Sequence, residues 1–463
     1  MVRFIFILSL LVPHTSLGDK LNLPETLQSR LEHLVKNYPT GFAVRIDDIT
    51  KGETIFTGNQ HTPLNPASVM KLVTTKAAID LLGLGFRWKT DILINGTREN
   101  RILNGDLYFR GSGDPTIDLN RFNSLLKKIY DSGIRSIDGN VYVDRSSFPS
   151  EAHDPAQFDE EPLRPYNAGS DALPINANVF DIHFIPNYEN KTIDLISSPL
   201  NAPISNQLKL VNRPCASWPK NPAIENQIIY FRGSYPAACG IKQRQYSFLS
   251  PSSYFENAFL SEWISLGGTL RGQILDGQTP ESAVPLLSST SEPIASALRL
   301  TNKWSSNIAA RNIFLTLSAQ QSPAADLTQS RLILENWAKA RELDARGLFI
   351  DNGSGLSRNG RTTVSLISEI LKMAWTDPSM PEFVSSLSIP GVDGTLGTRF
   401  RLSPANAKAH LKTGYLEGVR SIAGYLHLPQ GRTLSVVIIM NHESLTKTSK
   451  TMENLIQQLY GTK

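Results

Sequence analysis

Cysteine is scarce in this chain: Cys215 and Cys239 are its only two in 463 residues. That excludes a small disulfide-stapled scaffold and any cluster of thiolates around a metal. The eight histidines are scattered, with no pair at the spacing of a zinc-binding helix, so neither a metal nor another cofactor is expected. Like charges never gather into a block, and the formal net charge is only +4 at pH 7. This excludes the basic footprint of a nucleic-acid binder. Also missing is any apolar run of the length that crosses a bilayer as a helix.

What is present suits a large globular core, with 40% hydrophobic and 19% charged residues. The N-terminal stretch "MVRFIFILSLLVPHTSLGD" has Arg3, an apolar run over residues 4–12, then the small residues Ser16 and Gly18. It reads as a secretory signal peptide, residues 1–18, cut after Gly18. The chain is therefore expected to be exported, to the periplasm or loosely to the cell envelope, with no membrane anchor after cleavage. In an exported chain, Cys215 and Cys239 are expected to form a disulfide closing one loop.

Leu27, Leu31, Leu34 and Val35 recur at helical spacing over residues 25–37. "GFAVRIDDITKGETIFTGN" alternates as two strands around a turn at residues 50–52. A helix runs through "KLVTTKAAIDLLGLG", ended by Gly83 and Gly85. In the last third, "AHLKTGYL", "VRSIAGYLHL" and "TLSVVIIMN" read as three strands. A turn at residues 429–432 joins the last pair, and a closing helix is expected over 448–460. Strand pairs at both ends of the chain predict one α/β (α+β) domain built from the two termini, an antiparallel sheet flanked by helices, with the middle inserted.

That middle carries a weak repeat. "LLKKIYDSGIRSIDGNVYVD" and "FLSEWISLGGTLRGQILD" share a helix, a glycine stop and a short strand ending in Asp144 or Asp276. Between them lies a Pro- and Asn-rich stretch with short β-like runs. The expected division is a first domain over 19–95 and 286–463, a second over 96–163 and 251–285, and a mostly β third over 164–250. "GSGDP", with Asp114, reads as turn chemistry within the insertion.

The chemistry starts from "NPASVMKLVTT". Ser68 and Lys71 lie three residues apart at a helix start, so they share a face. Ser-x-x-Lys is weak evidence alone, because it also occurs at Ser124–Lys127, Ser217–Lys220 and Ser444–Lys447. Only Ser68 is flanked by small and apolar residues that would let a lysine be buried. A serine hydroxyl needs an adjacent base to attack. An exposed lysine, with a pKa near 10.4, cannot serve at neutral pH, but a desolvated one can. "KTG", residues 412–414, lies on a predicted strand where Lys412 and Thr413 suit a carboxylate and Gly414 permits close approach to a ligand. Ser-x-Asn occurs as Ser305–Asn307 and Ser357–Asn359. The first sits between two helical patterns, where Ser305 is also a plausible N-cap.

Ser-x-x-Lys, Ser-x-Asn and Lys-Thr-Gly, in this order, make the constellation of penicillin-interacting serine acyltransferases. The chain resembles one branch more closely through "NPASVMKLVTTKAAIDLLG", "LNGDLYFRGSGDPTID", "GIRSIDGNVYVDRSSF", "DNGSGLSR", "IPGVDGTLGTRF" and "LKTGYLEGVRSIAGYL". These are similar to the class C low-molecular-mass penicillin-binding proteins, the DacB-type D-alanyl-D-alanine carboxypeptidase/endopeptidases.

The resemblance implies a β-lactamase/transpeptidase-like domain carrying two inserted domains, and a serine peptidase acting on peptidoglycan stem peptides and crosslinks. β-Lactams would be its covalent inhibitors. By matched position, Ser68 would be acylated, Lys71 would be its base, and Ser305 would relay a proton to the leaving group. Asn307 would bind the substrate amide, and Lys412 and Thr413 the terminal carboxylate. The backbone N–H groups of Ser68 and Tyr415 would form the oxyanion hole.

Two positions depart from the pattern. Ser306 stands where relatives often carry aspartate, and Tyr415 where a small hydroxyl residue is common. The cluster Asp159, Glu160 and Glu161 lies near where relatives carry an acidic contact to the peptide's free amino end. Glu161 and Arg358 are thus further substrate-contact candidates. The rivals are a β-lactamase or esterase on the same scaffold, or a catalytically silent cell-wall-binding protein. The long insertion between motifs weighs against the first, and the full set of catalytic residue types against the second.

Overall fold

The computed structural model describes residues 21–148, 153–215, 218, 222–429, 431–447 and 450–461. The expected signal peptide and the Ser217–Lys220 pair lie outside them.

In chain order, α1 (Glu25–Asn37), β1 (Phe42–Asp48) and β2 (Glu53–Gly58) lead to a 3-10 turn, Ala67–Met70, continuous with α2 (Lys71–Leu82). Next come β3 (Lys89–Glu99), β4 (Ile102–Gly111), α3 (Leu119–Asp131), β5 (Ser136–Ile137) and β6 (Val141–Asp144). The strands β7 (Phe180–Asn187), β8 (Thr192–Ser198), β9 (Ile204–Val211), β10 (Ala223–Glu225), β11 (Ile228–Pro236) and β12 (Lys242–Tyr246) follow. After them run α4 (Pro251–Ser265), β13 (Thr269–Leu270), β14 (Ile274–Asp276) and β15 (Val284–Thr290). The chain closes with α5 (Ile294–Asn302), α6 (Asn307–Ala319), α7 (Leu327–Ala340), α8 (Val364–Thr376), α9 (Met380–Ser385), β16 (Ala409–Leu416), β17 (Val419–His427), β18 (Thr433–Met440), α10 (Glu443–Thr446) and α11 (Lys450–Tyr460).

The two termini meet in one antiparallel sheet of order β16-β17-β18-β1-β2. Strand β18, "TLSVVIIM", is buried along its whole length because helices cover both faces of the sheet. Alternation assigns its side chains. Val436 and Ile438 face Leu27, Leu31, Leu455 and Ile456 of α1 and α11. Val437 and Ile439 join the opposite core with Leu72, Val73, Ile367 and Ile370 of α2 and α8. Strand β16, which carries the KTG residues, forms one edge.

The middle of the chain forms two further sheets. In the seven-stranded one, β5 pairs with β13 and β6 with β14, both parallel. The two repeat copies therefore lie side by side. Their helices cover the sheet with Phe122, Leu126, Phe255 and Phe259. Asp118 caps α3 by accepting from Arg121 N–H at 2.8 Å. Residues β7–β12 make the six-stranded sheet, order β10-β11-β9-β8-β7-β12. The expected boundaries after residues 95 and 285 fall within β3 and β15, whose pairing places both strands in the seven-stranded sheet. Asp114 accepts from Thr116 N–H at 2.9 Å, a buried turn of the insertion.

Candidate active site

Ser68 sits in the 3-10 turn Ala67–Met70, which is pinned from three sides. Ala67 N–H donates to Asn65 Oδ1 at 2.9 Å, Asn441 Nδ2 donates to Asn65 O at 2.9 Å, and Ser421 Oγ donates to Pro66 O at 2.5 Å. These bonds hold Ala67 at φ +46°, a left-handed conformation that costs a residue with a Cβ about 1–3 kcal/mol. Gly414 of β16 packs directly on this turn. A Cβ there would lie 2.6 Å from Pro66 O and would overlap Ser421 Oγ. The close approach that this glycine permits is to the chain's own serine turn.

One turn beyond Ser68, Lys71 is completely buried. Its Nζ lies 3.0 Å from Ser68 Oγ, 2.7 Å from Asn307 Oδ1 and 2.6 Å from the carbonyl oxygen of Ser354. The carbonyl can only accept. Asn307 donates from Nδ2 to Tyr166 O at 2.9 Å, which fixes its amide with Oδ1 toward the lysine, so that group also only accepts. A neutral amine has two N–H bonds and one lone pair. Both hydrogens go to the acceptor-only partners, and the lone pair is left for the Ser68 hydroxyl. Burial drives the Lys71 pKa well below the ordinary lysine value, and the positive charges of Lys412 and Arg311 push it further the same way.

The second motif enters through α6. Ser305 has φ +60°, and its Oγ accepts from Lys412 Nζ at 2.9 Å. The N-cap of α6 is Ser306, whose hydroxyl accepts from Ala309 N–H at 3.2 Å. The capping role that the sequence suggests for Ser305 is therefore corrected by one residue, which leaves Ser305 free for Lys412. It also gives Ser306 a helix-capping task. The alternative pair, Ser357 and Asn359, forms a turn in which Ser357 Oγ accepts from Asn359 N–H at 3.0 Å.

Lys412 is as buried as Lys71, and desolvation lowers its pKa to about 7. It also donates to Thr413 O at 2.8 Å. Thr413 Oγ1 lies 3.0 Å from Thr395 Oγ1. Leu411 exchanges both backbone hydrogen bonds with Ser388, at 2.8 and 3.0 Å, on the outer side of β16. Because an antiparallel strand alternates its bonding sides, Thr413 and Tyr415 turn their N–H and C=O groups off the same free edge. The Tyr415 ring is 67% exposed, with Arg420 stacked 3.8 Å from its centroid.

The remaining candidates are more distant from this cluster. Glu161 pairs with Arg164 at 3.3 Å. Arg358 is exposed, donates to Glu417 O at 3.3 Å and lies over the Phe158 ring. Among the other Ser-x-x-Lys pairs, Ser124 bonds back to Asn120 O and Lys127 to Asp131 on the exposed face of α3, and Ser444 bonds to His442. Cys215 and Cys239 are joined by a disulfide at the end of β11.

Three contributors escape sequence reasoning. Ser354 acts through its carbonyl, held between Gly353 and Gly355 at φ +75° and +77°. Those two glycines in "DNGSGLSR" were the available signal. Arg311, one turn along α6 from Asn307, is buried and donates to Ala168 O. Desolvation lowers its pKa to about 10. Tyr166 positions Asn307 through backbone alone. Together Asn307, Arg311 and Asn312 tie the segment 166–171 of the insertion to the first domain.

Comparison with known proteins gives a consistent picture. A profile described as the D-Ala-D-Ala carboxypeptidase 3 (S13) family matches residues 27–461. D-alanyl-D-alanine carboxypeptidase of Actinomadura sp. (strain R39) is 25% identical over 93% of this chain and 85% of its own length. D-alanyl-D-alanine carboxypeptidase DacB of Haemophilus influenzae is 26% identical over 96% of this chain and 98% of its own. The crystal structure of penicillin binding protein 4 (dacB) from H. influenzae shares the fold, with TM-score 0.76 over 93% of this chain and 98% of that one at 22% identity. Its complex with a β-lactam gives 0.72 over 92% and 98%, at 21% identity.

Proposed function

The chain belongs to the D-Ala-D-Ala carboxypeptidase 3 (S13) family and is a hydrolase, and from that premise we propose a serine DD-peptidase with Ser68 as its acylated residue. Its substrates are peptidoglycan stem peptides: it removes the terminal D-alanine, cleaves D-Ala-to-diamino-acid crosslinks, or does both. Export to the periplasm, where such substrates lie, is part of this reading, as is covalent inhibition by penicillin.

In the proposed mechanism, Lys412 and Thr413 receive the substrate's terminal carboxylate, and the scissile carbonyl lies along the free edge of β16. Lys71 takes the Ser68 proton through its lone pair while Oγ attacks the carbonyl carbon. The N–H groups of Ser68 and Tyr415 hold the developing oxyanion, each worth about 2.7–4 kcal/mol in such sites. Ser305 passes a proton to the departing amine as the C–N bond breaks, and the proton that Lys71 took from Ser68 replaces it on Ser305, which returns Lys71 to its neutral form. Asn307 holds both Lys71 and the substrate amide. Water then attacks the Ser68 ester while the neutral Lys71 takes its proton, and Lys71 gives that proton to Ser68 Oγ as the ester bond breaks and the acid product leaves. Glu161 and Arg358 are assigned to the outlying peptide.

The observation that carries this reading is the buried Lys71 amine, whose two acceptor-only partners aim its lone pair at Ser68 Oγ. Digestion of purified crosslinked muropeptides, with mass analysis of the products, tests it. Loss of one D-alanine or conversion of dimer to monomer is expected. Intact substrate after prolonged incubation with protein whose fold is verified would contradict it.

A further inference from the structure

The six-stranded sheet contributes a second polar hollow close to the site. A cavity of about 490 Å³, within the range of small-ligand sites, lies between its edge strand β12 and the segment 161–164. Glu161, Arg164, Gln243, Arg244, Gln245 and Tyr246 line it. The two walls are joined where Ser247 N–H donates to Leu163 O at 3.0 Å.

The charges in this cavity do not cancel. Glu161 is engaged by Arg164 at 3.3 Å. Arg244 has no carboxylate partner among the described residues, and its Nε is buried without a hydrogen-bond acceptor. Its guanidinium is braced 4.8 Å from the centroid of the Trp218 ring, which holds the planar fork in one orientation. A buried guanidinium N–H without an acceptor is costly, and a carboxylate satisfies two of its donors at once.

The cavity is also wired to the catalytic residues. Asn167 Nδ2 donates to Glu161 O at 3.0 Å, and the adjacent Tyr166 carbonyl accepts from Asn307. Asn307 accepts from Lys71 Nζ at 2.7 Å. The segment 161–167 thus joins a wall of this hollow to the amide that contacts Lys71.

We propose that this cavity is an exosite of the inserted β domain in which Arg244 binds a carboxylate of the stem peptide, on the acyl side of the scissile bond. The proposal rests on the serine DD-peptidase reading for its ligand, and its test is a binding measurement that needs no turnover.

The test titrates crosslinked muropeptide into the full exported chain carrying Ser68→Ala, with and without Arg244→Ala or Arg244→Lys. Loss of one charge-assisted contact is expected to weaken binding about tenfold in the alanine variant, with partial recovery in the lysine variant. A muropeptide whose stem carboxylates are amidated should bind the Arg244 protein about tenfold more weakly and be indifferent to Arg244→Ala. Unchanged affinity in Arg244→Ala, or an equal loss for the free and amidated muropeptides, would overturn the exosite. Penicillin labelling of Ser68 in protein carrying only the Arg244 change reports separately on the catalytic reading and should be unaltered.

Discussion

Lys412 Nζ and Ser305 Oγ are hydrogen-bonded at 2.9 Å across 107 positions of sequence, joining the sheet edge to a residue at φ +60°. With the ammonium as donor, the serine's own proton is free to point elsewhere, toward the reacting amine. The left-handed backbone brings the hydroxyl there and is strained for any residue with a Cβ. Ser305→Gly is therefore expected to keep or slightly raise the melting temperature while lowering kcat about 10²–10³-fold. Thermal melts and D-Ala release from the same preparation check this pairing of outcomes.

The two buried lysines predict a bell-shaped pH profile. Lys71 acts as base only when neutral, so activity rises as pH climbs through its depressed pKa. Lys412 must be charged to hold a carboxylate, and its pKa of about 7 places the falling limb of kcat/KM near neutrality. Bound carboxylate favours the charged form, so the falling limb of kcat should lie at higher pH than that of kcat/KM. Rates measured across pH on a D-Ala-D-Ala peptide and on a neutral-ended analogue separate the limbs, because the analogue should lose the alkaline one.

Lys71 should also leave a mark on stability. Burial holds the folded-state pKa of Lys71 well below that of the unfolded chain, so folding releases this proton above the depressed value and stability from this group rises with pH. The gain continues until the unfolded lysine titrates near 10.4. Relative to Lys71→Met, the native chain should gain about 1.4 kcal/mol per pH unit above neutrality in denaturant unfolding. A constant difference across that range would contradict a neutral Lys71.

Gly414→Ala tests the packing of strand on serine turn. The added methyl meets Pro66 O at 2.6 Å, and Ser421 Oγ can turn away only by giving up its bond to that carbonyl. Overpacking should cost about 1–3 kcal/mol. Displacing Ser68 by even a fraction of an ångström should slow penicillin acylation at least about tenfold. Unfolding midpoints and acylation rates measure the two effects.

Much of this was legible in the sequence where chemistry and period coincide. "AHLKTGYL", "VRSIAGYLHL" and "TLSVVIIMN" read as strands, and the three pair side by side in one antiparallel sheet. The spacing of Ser68 and Lys71 gives their contact directly. Apart from the Arg311 guanidinium, what escaped was carried by backbone. Ser354 and Tyr166 act through carbonyls, which no side-chain pattern encodes. Ser305 looked like an N-cap because a cap and its neighbour are both serines, and only the backbone angle distinguishes them. The pairing of β3 with β15 joins residues as far apart in sequence as Lys89 and Thr290, which no local pattern encodes.

The central claim is that Ser68 is made nucleophilic by a neutral, buried Lys71. Labelled penicillin, incubated with the protein and followed by peptide mapping, tests it most directly. The account predicts one label per chain on the peptide containing Ser68, with none on Ser68→Ala and at least about a thousandfold slower labelling of Lys71→Met. Label on another residue, or undiminished label on Ser68→Ala protein, would contradict it.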